Sequence, residues 1–407
     1  MTESKMRPIR ETITLDEAIR LIDAAAQPID RVERLDIREA DGRVLAADVL
    51  STVDVPPFSR AAMDGYAVIA EDTFGAGQFE PKRLACIEQV YTGQVPTKAI
   101  SRGECIEIAT GAPMPGGADA VVMVEETEKE DEGHVRMFSP VYPHQNVGGQ
   151  GADITAGQVV LQRGDVLNPS RIGALAAIGV LEVDVFERPR VAILSTGNEI
   201  VDPGQPLAPG QIYDINKFTL AAIINEHGGI PVPYPTAPDT LEALDRALDT
   251  CTREDLIIFS GGSSVGERDL ILDAVARRGE IVFHGIAVKP GKPTLFGVIA
   301  GKPVLGMPGY PTSCLSNSYM LLVPALRRMA RLPAAHLRTV LLPLGQRIVS
   351  TTGRHQFYTV RIVEGVAMPA FKASGDITSM SQADGYIEIP AQTDLVEKGE
   401  MVEVKLL

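Results

Sequence analysis

The stretch from Asp255 to Pro311 constrains this chain more than any other. It reads DLIIFSGGSSVGERD, then HGIAVKPGKPTLFG, then VLGMPGYP. Leu256 to Phe259 is a short apolar run with the length of a buried strand. Ser260-Gly261-Gly262 follows at once, and Asp269 opens a helical pattern in which Leu270, Ile271, Ala274 and Val275 share a face. Strand, glycine-rich turn and helix is how α/β folds turn backbone N–H groups toward an anion. Lys289 and Lys292 flank Pro290-Gly291, and Pro293 closes the loop. Proline fixes the backbone and glycine permits close approach, so the spacing predicts two ammonium groups held on a stiff loop. A Gly-Gly turn or a loop lysine taken singly is ordinary structure. Their succession points to a socket for phosphate or a similar oxyanion, with Asp269 as a nearby carboxylate. The stretch is neither a Gly-Lys-Ser/Thr phosphate loop nor a G-x-G-x-x-G fingerprint.

The chain of 407 residues is long enough for two to four domains. With 45% hydrophobic and 22% charged residues it has the composition of globular protein. A formal charge of −15 argues against general nucleic-acid binding, which needs broad basic patches, yet leaves room for one small cationic pocket. Cys86, Cys105, Cys251 and Cys314 are scattered, and the six histidines show no metal-ligand spacing. A structural zinc site or disulfide framework is therefore not expected, and a reducing cytoplasm is. No run approaches the roughly 18 apolar residues of a membrane helix, and the polar N-terminus has no apolar signal core.

Along the chain, Thr14-Leu-Asp-Glu17 reads as a capping box opening a helix that stops before Pro28. Leu35 to Ile37 and Val44 to Val49 read as extended around the Asp41-Gly42 turn. Next comes VPPFSRAAMDGYA, which brackets Arg60 and Asp64; Asp64-Gly65 reads equally well as a plain turn. From Phe79 to Phe138, short β-branched runs (Leu84 to Tyr91, Glu104 to Ile108, Ala120 to Glu125) predict a small β domain. The loop Ala109 to Gly117 between two of them either lines a ligand or merely connects a hairpin. Residues 144 to 157 read as a return linker, and Asn168 as the cap of a small-residue helix.

After the boundary around Glu187 to Arg190, strands and helices alternate as in a doubly wound α/β domain, whose ligands bind at the C-terminal strand ends. Strands are expected at Val191 to Leu194, 256 to 259 and Ile281 to Phe283. Helices are expected at Asn216 to Glu226, after Thr240, after Asp269, and from Ser313 to Ala330. Asn216 reads as an N-cap. Glu199, Ser260 to Gly262 and the Lys289 loop all fall at strand ends and so should share one rim. After Pro333 a β-rich barrel or sandwich is expected, with Lys398-Gly399-Glu400 as the turn of a final hairpin. Arg354 and Ser374 are its candidate ligand residues.

The motifs PPFSRAAMDGYA, ATGAPMPGGADAVV, STGNEI, YDIN, FSGGSSVGERD, AVKPGKPTLFG and MPGYP occur in this order over nearly the whole chain. The series resembles the MoeA family of molybdopterin molybdenumtransferases, to which gephyrin and plant Cnx E-domains also belong. The resemblance implies a multidomain α/β and β protomer. Its parts would be a discontinuous N-terminal domain (1–50 and 147–186), an inserted β domain (51–146), a doubly wound, MogA-like molybdopterin-binding α/β domain (187–332) and a C-terminal β-barrel (333–407). It implies a homodimer in which the N-terminal parts of one protomer face the α/β domain of the other, and dealings with other molybdenum cofactor biosynthesis proteins. It also implies Mg²⁺-assisted insertion of molybdate into adenylylated molybdopterin, with release of AMP.

By that resemblance Asp64, Glu199, Asp269, Lys289 and Lys292 are catalytic, with Asp269 and Glu199 as metal ligands. Thr110, Gly111, Ser260, Gly261, Gly262, Asp239, Pro308, Pro311, Arg354 and Ser374 bind the cofactor. The chain departs from the family pattern at Tyr310 (often Asn), at Ser59-Arg60 (often Asp-Asn) and at Pro238-Asp239 (an Asp-Asp pair). Three other readings compete: a tungstate-selective form of the same step, a molybdopterin adenylyltransferase, and a non-catalytic scaffold. Retention of Asp64, Asp269, Lys289 and Lys292 favours the transferase.

Overall fold

The computed structural model describes residue 9 and residues 11–261 and 270–407. They form two compact units, one of the described residues within 1–33 and 186–407, the other of residues 34–185. The smaller unit is thus inserted into the larger one.

In the smaller unit, Gly65–Val68 lies within a six-stranded sheet, flanked by Glu104–Ile108 and Ala120–Met123 and antiparallel to both. The loop between those two flanking strands therefore crosses over Gly65–Val68 and is not a hairpin connection. The same packing explains Gly65, since a Cβ there would sit 1.9 Å from the Val122 carbonyl oxygen. Asp64-Gly65 is a strand entry with no room for a side chain at its second residue. Lys82–Val90 runs parallel to Glu104–Ile108 on the far side. Asn168 caps Pro169–Ala177 as expected, its side chain accepting from the Arg171 N–H at 2.9 Å.

The larger unit begins with Leu15–Ala25, capped by Thr14. Only half of the capping box forms, because the Glu17 carboxylate is turned to Arg20. Leu15, Ala18 and Ile22 are buried in the core that includes Val191, Leu220 and Leu256, so this helix belongs by its packing with the α/β sheet. That sheet has six strands in the order Ile230–Pro233, Arg190–Ser195, Leu256–Ser260, Lys302–Met307, Leu295–Ile299, Gly279–His284. The first four are mutually parallel, whereas Leu295–Ile299 is antiparallel to both of its neighbours. The sheet of the doubly wound domain expected from sequence is thus mixed rather than wholly parallel. Reversing twice leaves Gly279–His284 pointing the same way as the first four, so its C-terminal end still opens on their rim. The expected final helix is in three parts: Pro311–Asn317, a π-helical turn Ser318–Leu322, and Val323–Met329. Pro324 lacks the N–H that a regular α-helical ladder would use there, and the wider turn lies just before it.

The C-terminal part is a small barrel. Thr339–Pro343, Met401–Leu406, Gly385–Ile389, His355–Val363 and Val366–Pro369 pair in sequence. A bridge from Leu344 to Ala367 closes the ring. Leu344, Val360, Ala367, Ile387 and Val404 fill it. The strand before Lys398 pairs with Ile348–Val349 and the strand after it with Thr339–Pro343, so this turn links two sheets and is not a hairpin.

Candidate functional site

The parallel strand ends of the larger unit open into a cavity of about 860 Å³. Its wall contains Glu199, Ser260, Gly261, Lys289, Lys292, Pro308, Pro311, Arg354 and Ser374. Nine residues picked from sequence, spread over 176 positions from Glu199 to Ser374, thus face one space. Asp239 is not in that wall; its N–H donates to the Asn198 side chain at 3.4 Å, outside the cavity. Gly262 and Asp269 lie outside the described residues.

Three turns meet backbone to backbone on the floor. The Thr196 N–H donates to the Ser260 carbonyl at 3.0 Å. Gly261 has φ +102°, and a Cβ there would lie 2.5 Å from the Thr196 carbonyl oxygen. Gly309 packs against Gly261 in turn, with 3.5 Å from its Cβ position to the Gly261 Cα. At Gly261 only glycine allows this approach, so the floor there is lined by main chain.

The lysine loop is anchored from behind. Asn317, fully buried on Pro311–Asn317, donates its amide to the Gly291 carbonyl at 3.0 Å and to Thr294 Oγ1 at 2.6 Å. Gly291 has φ +105°, and a Cβ there would meet Asn317 Oδ1 at 2.4 Å. Val288–Lys289 also pairs with His355–Gln356 of the barrel. Sequence alone suggested a loop; in fact Lys289 stands on a short strand shared with the C-terminal sheet. Lys289 Nζ donates to Thr351 Oγ1 at 2.8 Å and Lys292 Nζ to the Ile9 carbonyl at 2.9 Å. Both acceptors are neutral, so these contacts fix the ammonium groups without cancelling their charge.

Three polar atoms in the same wall are buried without a hydrogen-bond partner among the described residues: Ser195 Oγ, Thr196 Oγ1 and Asn216 Oδ1. Asp214 Oδ2, buried beside them, faces the Lys217 ammonium at 3.6 Å. An unmet buried polar group costs roughly 1–3 kcal/mol, so a cluster of three suits a ligand that would supply the partners. Asn216 is not the N-cap expected from sequence. Ile215 holds that position, Asp214 Oδ1 accepts the Lys217 N–H at 3.0 Å, and Asn216 donates instead to the Gly309 carbonyl at 2.9 Å. The signal was present in the sequence: Asp-x-Asn at a helix entrance carries one polar side chain more than capping needs. Ser195 and Thr196 were visible only as a polar turn.

The carboxylates suit a hard cation sparsely. Glu199 and Asp214 both face the cavity, and their segments are paired, with Ile212 N–H donating to the Glu199 carbonyl and Asp214 N–H to the Val201 carbonyl, each at 2.9 Å. Among the described residues no group of three His, Cys, Asp or Glu side chains could cage a metal. Mg²⁺ does not require such a cage, since it keeps waters and takes one or two carboxylates plus substrate phosphates.

In the smaller unit a second corner forms. Asp64 Oδ1 accepts from the Thr110 N–H at 2.6 Å and from Thr110 Oγ1 at 2.9 Å. The backbone N–H, then the hydroxyl, of Thr110 hold the Asp64 carboxyl below its ordinary range. Gly111, at φ +84°, donates to the Ala61 carbonyl at 2.8 Å. Two sequence candidates far apart in the chain, the AMDGYA and TGAP motifs, are thus one constellation.

A mixed α/β sheet with a main-chain floor, two fixed lysines and unmet hydroxyls at its strand ends has the chemistry of a binding domain suited to an oxyanion-bearing ligand. Comparisons make the class specific. The MoeA N-terminal region (domain I and II) matches residues 13–179. The "Probable molybdopterin binding domain" matches residues 192–328, and the MoeA C-terminal region (domain IV) residues 342–407. Molybdopterin molybdenumtransferase 2 of Mycobacterium tuberculosis is 34% identical over 379 residues, covering 90% of this chain and 93% of its own. The molybdopterin molybdenumtransferase of Haemophilus influenzae is 34% identical over 319 residues, 78% of each chain. A molybdopterin biosynthesis MoeA protein from Pyrococcus horikoshii, of known structure, superposes with TM-score 0.85 at 41% identity, covering 97% of this chain and 99% of its own. The chain belongs to the MoeA family of molybdopterin molybdenumtransferases, enzymes of molybdenum cofactor biosynthesis.

Proposed function

We propose that this protein inserts molybdate into adenylylated molybdopterin and releases AMP. The observation that carries the reading is the cavity itself, where Lys289, Lys292 and three unmet polar atoms converge at parallel strand ends. Lys289 and Lys292 hold the phosphate or molybdate oxygens. The main-chain floor at Gly261 and Gly309 lets the ligand approach closely. Ser195, Thr196 and Asn216 supply hydrogen bonds that fix its orientation. A molybdate oxygen attacks the pterin-side phosphorus of the phosphoanhydride, the P–O bond to AMP breaks and AMP leaves. The pterin dithiolene sulfurs then bind the molybdenum as its bond to the bridging oxygen breaks, and the pterin phosphate keeps that oxygen. Preorganised positive groups aimed at the charge that develops on the leaving phosphate are the chief source of acceleration in such a step.

Glu199 and Asp214 would hold Mg²⁺, with Asp269 as a further carboxylate from the sequence; the ion neutralises phosphate charge. The proposed assembly is a cytoplasmic homodimer in which the Asp64–Thr110 corner of one protomer serves the cavity of its partner. Among the described residues no helix is long and apolar enough to cross a membrane.

The test is to mix the protein with adenylylated molybdopterin, Mg²⁺ and either molybdate or tungstate, and to follow AMP. Molybdate-dependent release supports the reading. Release with tungstate alone moves the protein to tungsten cofactor assembly, and tight binding with no release under either anion rejects turnover.

A further inference from the structure

Away from the cavity, the smaller unit brings two of the four cysteines together. Lys82–Val90 and Glu104–Ile108 run parallel, and their register sets Cys86 directly opposite Cys105. Neighbouring strands stand about 4.8 Å apart, within the Cα separation of roughly 4.4–6.8 Å that a disulfide spans. Both side chains belong to the same apolar cluster, with Cys105 inside it and Cys86 against its edge. Cys105 is buried while Cys86 is partly exposed, and both are free thiols. The register slips immediately after this pair, leaving Ile87 as an extra residue. Such a bulge locally re-aims side chains, and here the Cys86 Sγ lies 3.6 Å from the Glu88 carbonyl.

The chemistry of the pair is asymmetric. The neighbouring Cys105 thiol is the main influence that brings the Cys86 thiol down to about 6, against the opposing effect of burial. Cys105 is raised by the same contact and by burial. Cys251 and Cys314 are buried and pushed up to about 12, so they are poor nucleophiles.

We propose that Cys86 and Cys105 form a modification site: a vicinal dithiol that small disulfides of the glutathione class oxidise to a cross-strand disulfide. Cys86 thiolate attacks the reagent disulfide, forming a mixed disulfide at Cys86 and expelling one thiolate. Cys105 then gives up its proton and attacks the Cys86 sulfur, expelling the second. Two protein thiols lose two protons and two electrons, and one disulfide becomes two thiols. With Cys86 capped, the negative charge that held the Cys105 proton is gone, which frees the second sulfur to react. No cofactor and no large movement is required.

The full-length protein is treated with excess oxidised glutathione at neutral pH, and its thiols are counted after denaturation. The four thiols should fall to two, with a mass loss of two hydrogens and a cross-linked peptide joining positions 86 and 105; dithiothreitol should restore them. Cys105→Ser should stop at a stable glutathione adduct on Cys86, and Cys86→Ser should take up none. Four thiols remaining in the native wild-type protein would overturn the proposal. So would a wild-type adduct on Cys86 that never resolves, or cross-linking between any other pair. The wild-type count and peptide map decide the matter even if a variant folds poorly.

Discussion

Gly291→Ala is the sharpest single perturbation of the cavity. Gly291 sits at φ +105°, and a Cβ there would lie 2.4 Å from Asn317 Oδ1 and 2.5 Å from Nδ2. Forcing alanine into that backbone conformation costs about 1–3 kcal/mol. Asn317 is fully buried and must also be displaced from the Gly291 carbonyl and Thr294 Oγ1. Each lost hydrogen bond is worth about 0.5–1.5 kcal/mol, giving about 4 kcal/mol in all. Asn317→Ala alone forfeits the two hydrogen bonds and should cost about 2 kcal/mol. In the double variant the collision is absent and the bonds are already gone, so its cost should stay near 4 kcal/mol rather than the additive sum of about 6. The assay is urea unfolding followed by far-UV circular dichroism, with molybdate affinity measured in parallel. Strict additivity, or a Gly291→Ala protein as stable as wild type, would refute the claim that Asn317 moulds the lysine loop.

Other outcomes follow from the same geometry. Lys289→Met should weaken molybdate binding by tenfold or more in calorimetry, the ~1.5–3 kcal/mol of a hydrogen bond to a charged group, while leaving the unfolding midpoint nearly unchanged. Asn216→Ala frees the Gly309 carbonyl from its 2.9 Å partner and should weaken ligand binding without unfolding the protein, as calorimetry would show. Glu388, beside His355 at 3.4 Å and Lys405 at 2.7 Å, is held down to about 2, chiefly by His355 and then by Lys405. Because the folded value is depressed, its contribution is complete above the ordinary carboxylate range and is lost as pH falls through about 4 to 2. Glu388→Gln should therefore flatten acid unfolding in that window alone. Thr110→Val removes a hydroxyl donor from Asp64 and should raise the Asp64 titration toward its ordinary ~3.9, as read by carboxyl NMR.

The site was more legible than the sheet that carries it. Lys289, Lys292, Ser260 and Gly261 announced themselves because oxyanion chemistry needs glycine and lysine at strand ends, and those residue types are conspicuous. The reversal of Leu295–Ile299 was not legible: a short apolar run has the same appearance whichever way it runs. Asn216 was misassigned because an Asx residue before a helix is usually its cap, and only the fold shows Asp214 bonded to the Lys217 N–H. Lys398-Gly399-Glu400 has good turn chemistry, with Gly399 at φ +88°, but local chemistry does not reveal which sheets its two strands join. Leu15–Ala25 was correctly read as a helix, while its place in the α/β core depends on contacts with Val191 and Leu256, far along the chain.

The central claim is that the strand-end cavity holds the oxyanion between Lys289 and Lys292. Its most direct test is a crystal soaked with tungstate, a heavy isostere of molybdate, and mapped at the tungsten absorption edge. One strong anomalous peak is expected within hydrogen-bonding reach of Lys289 Nζ or Lys292 Nζ, lost in the double methionine variant. A strong peak elsewhere with this cavity empty, or an unchanged peak in that variant, would contradict it.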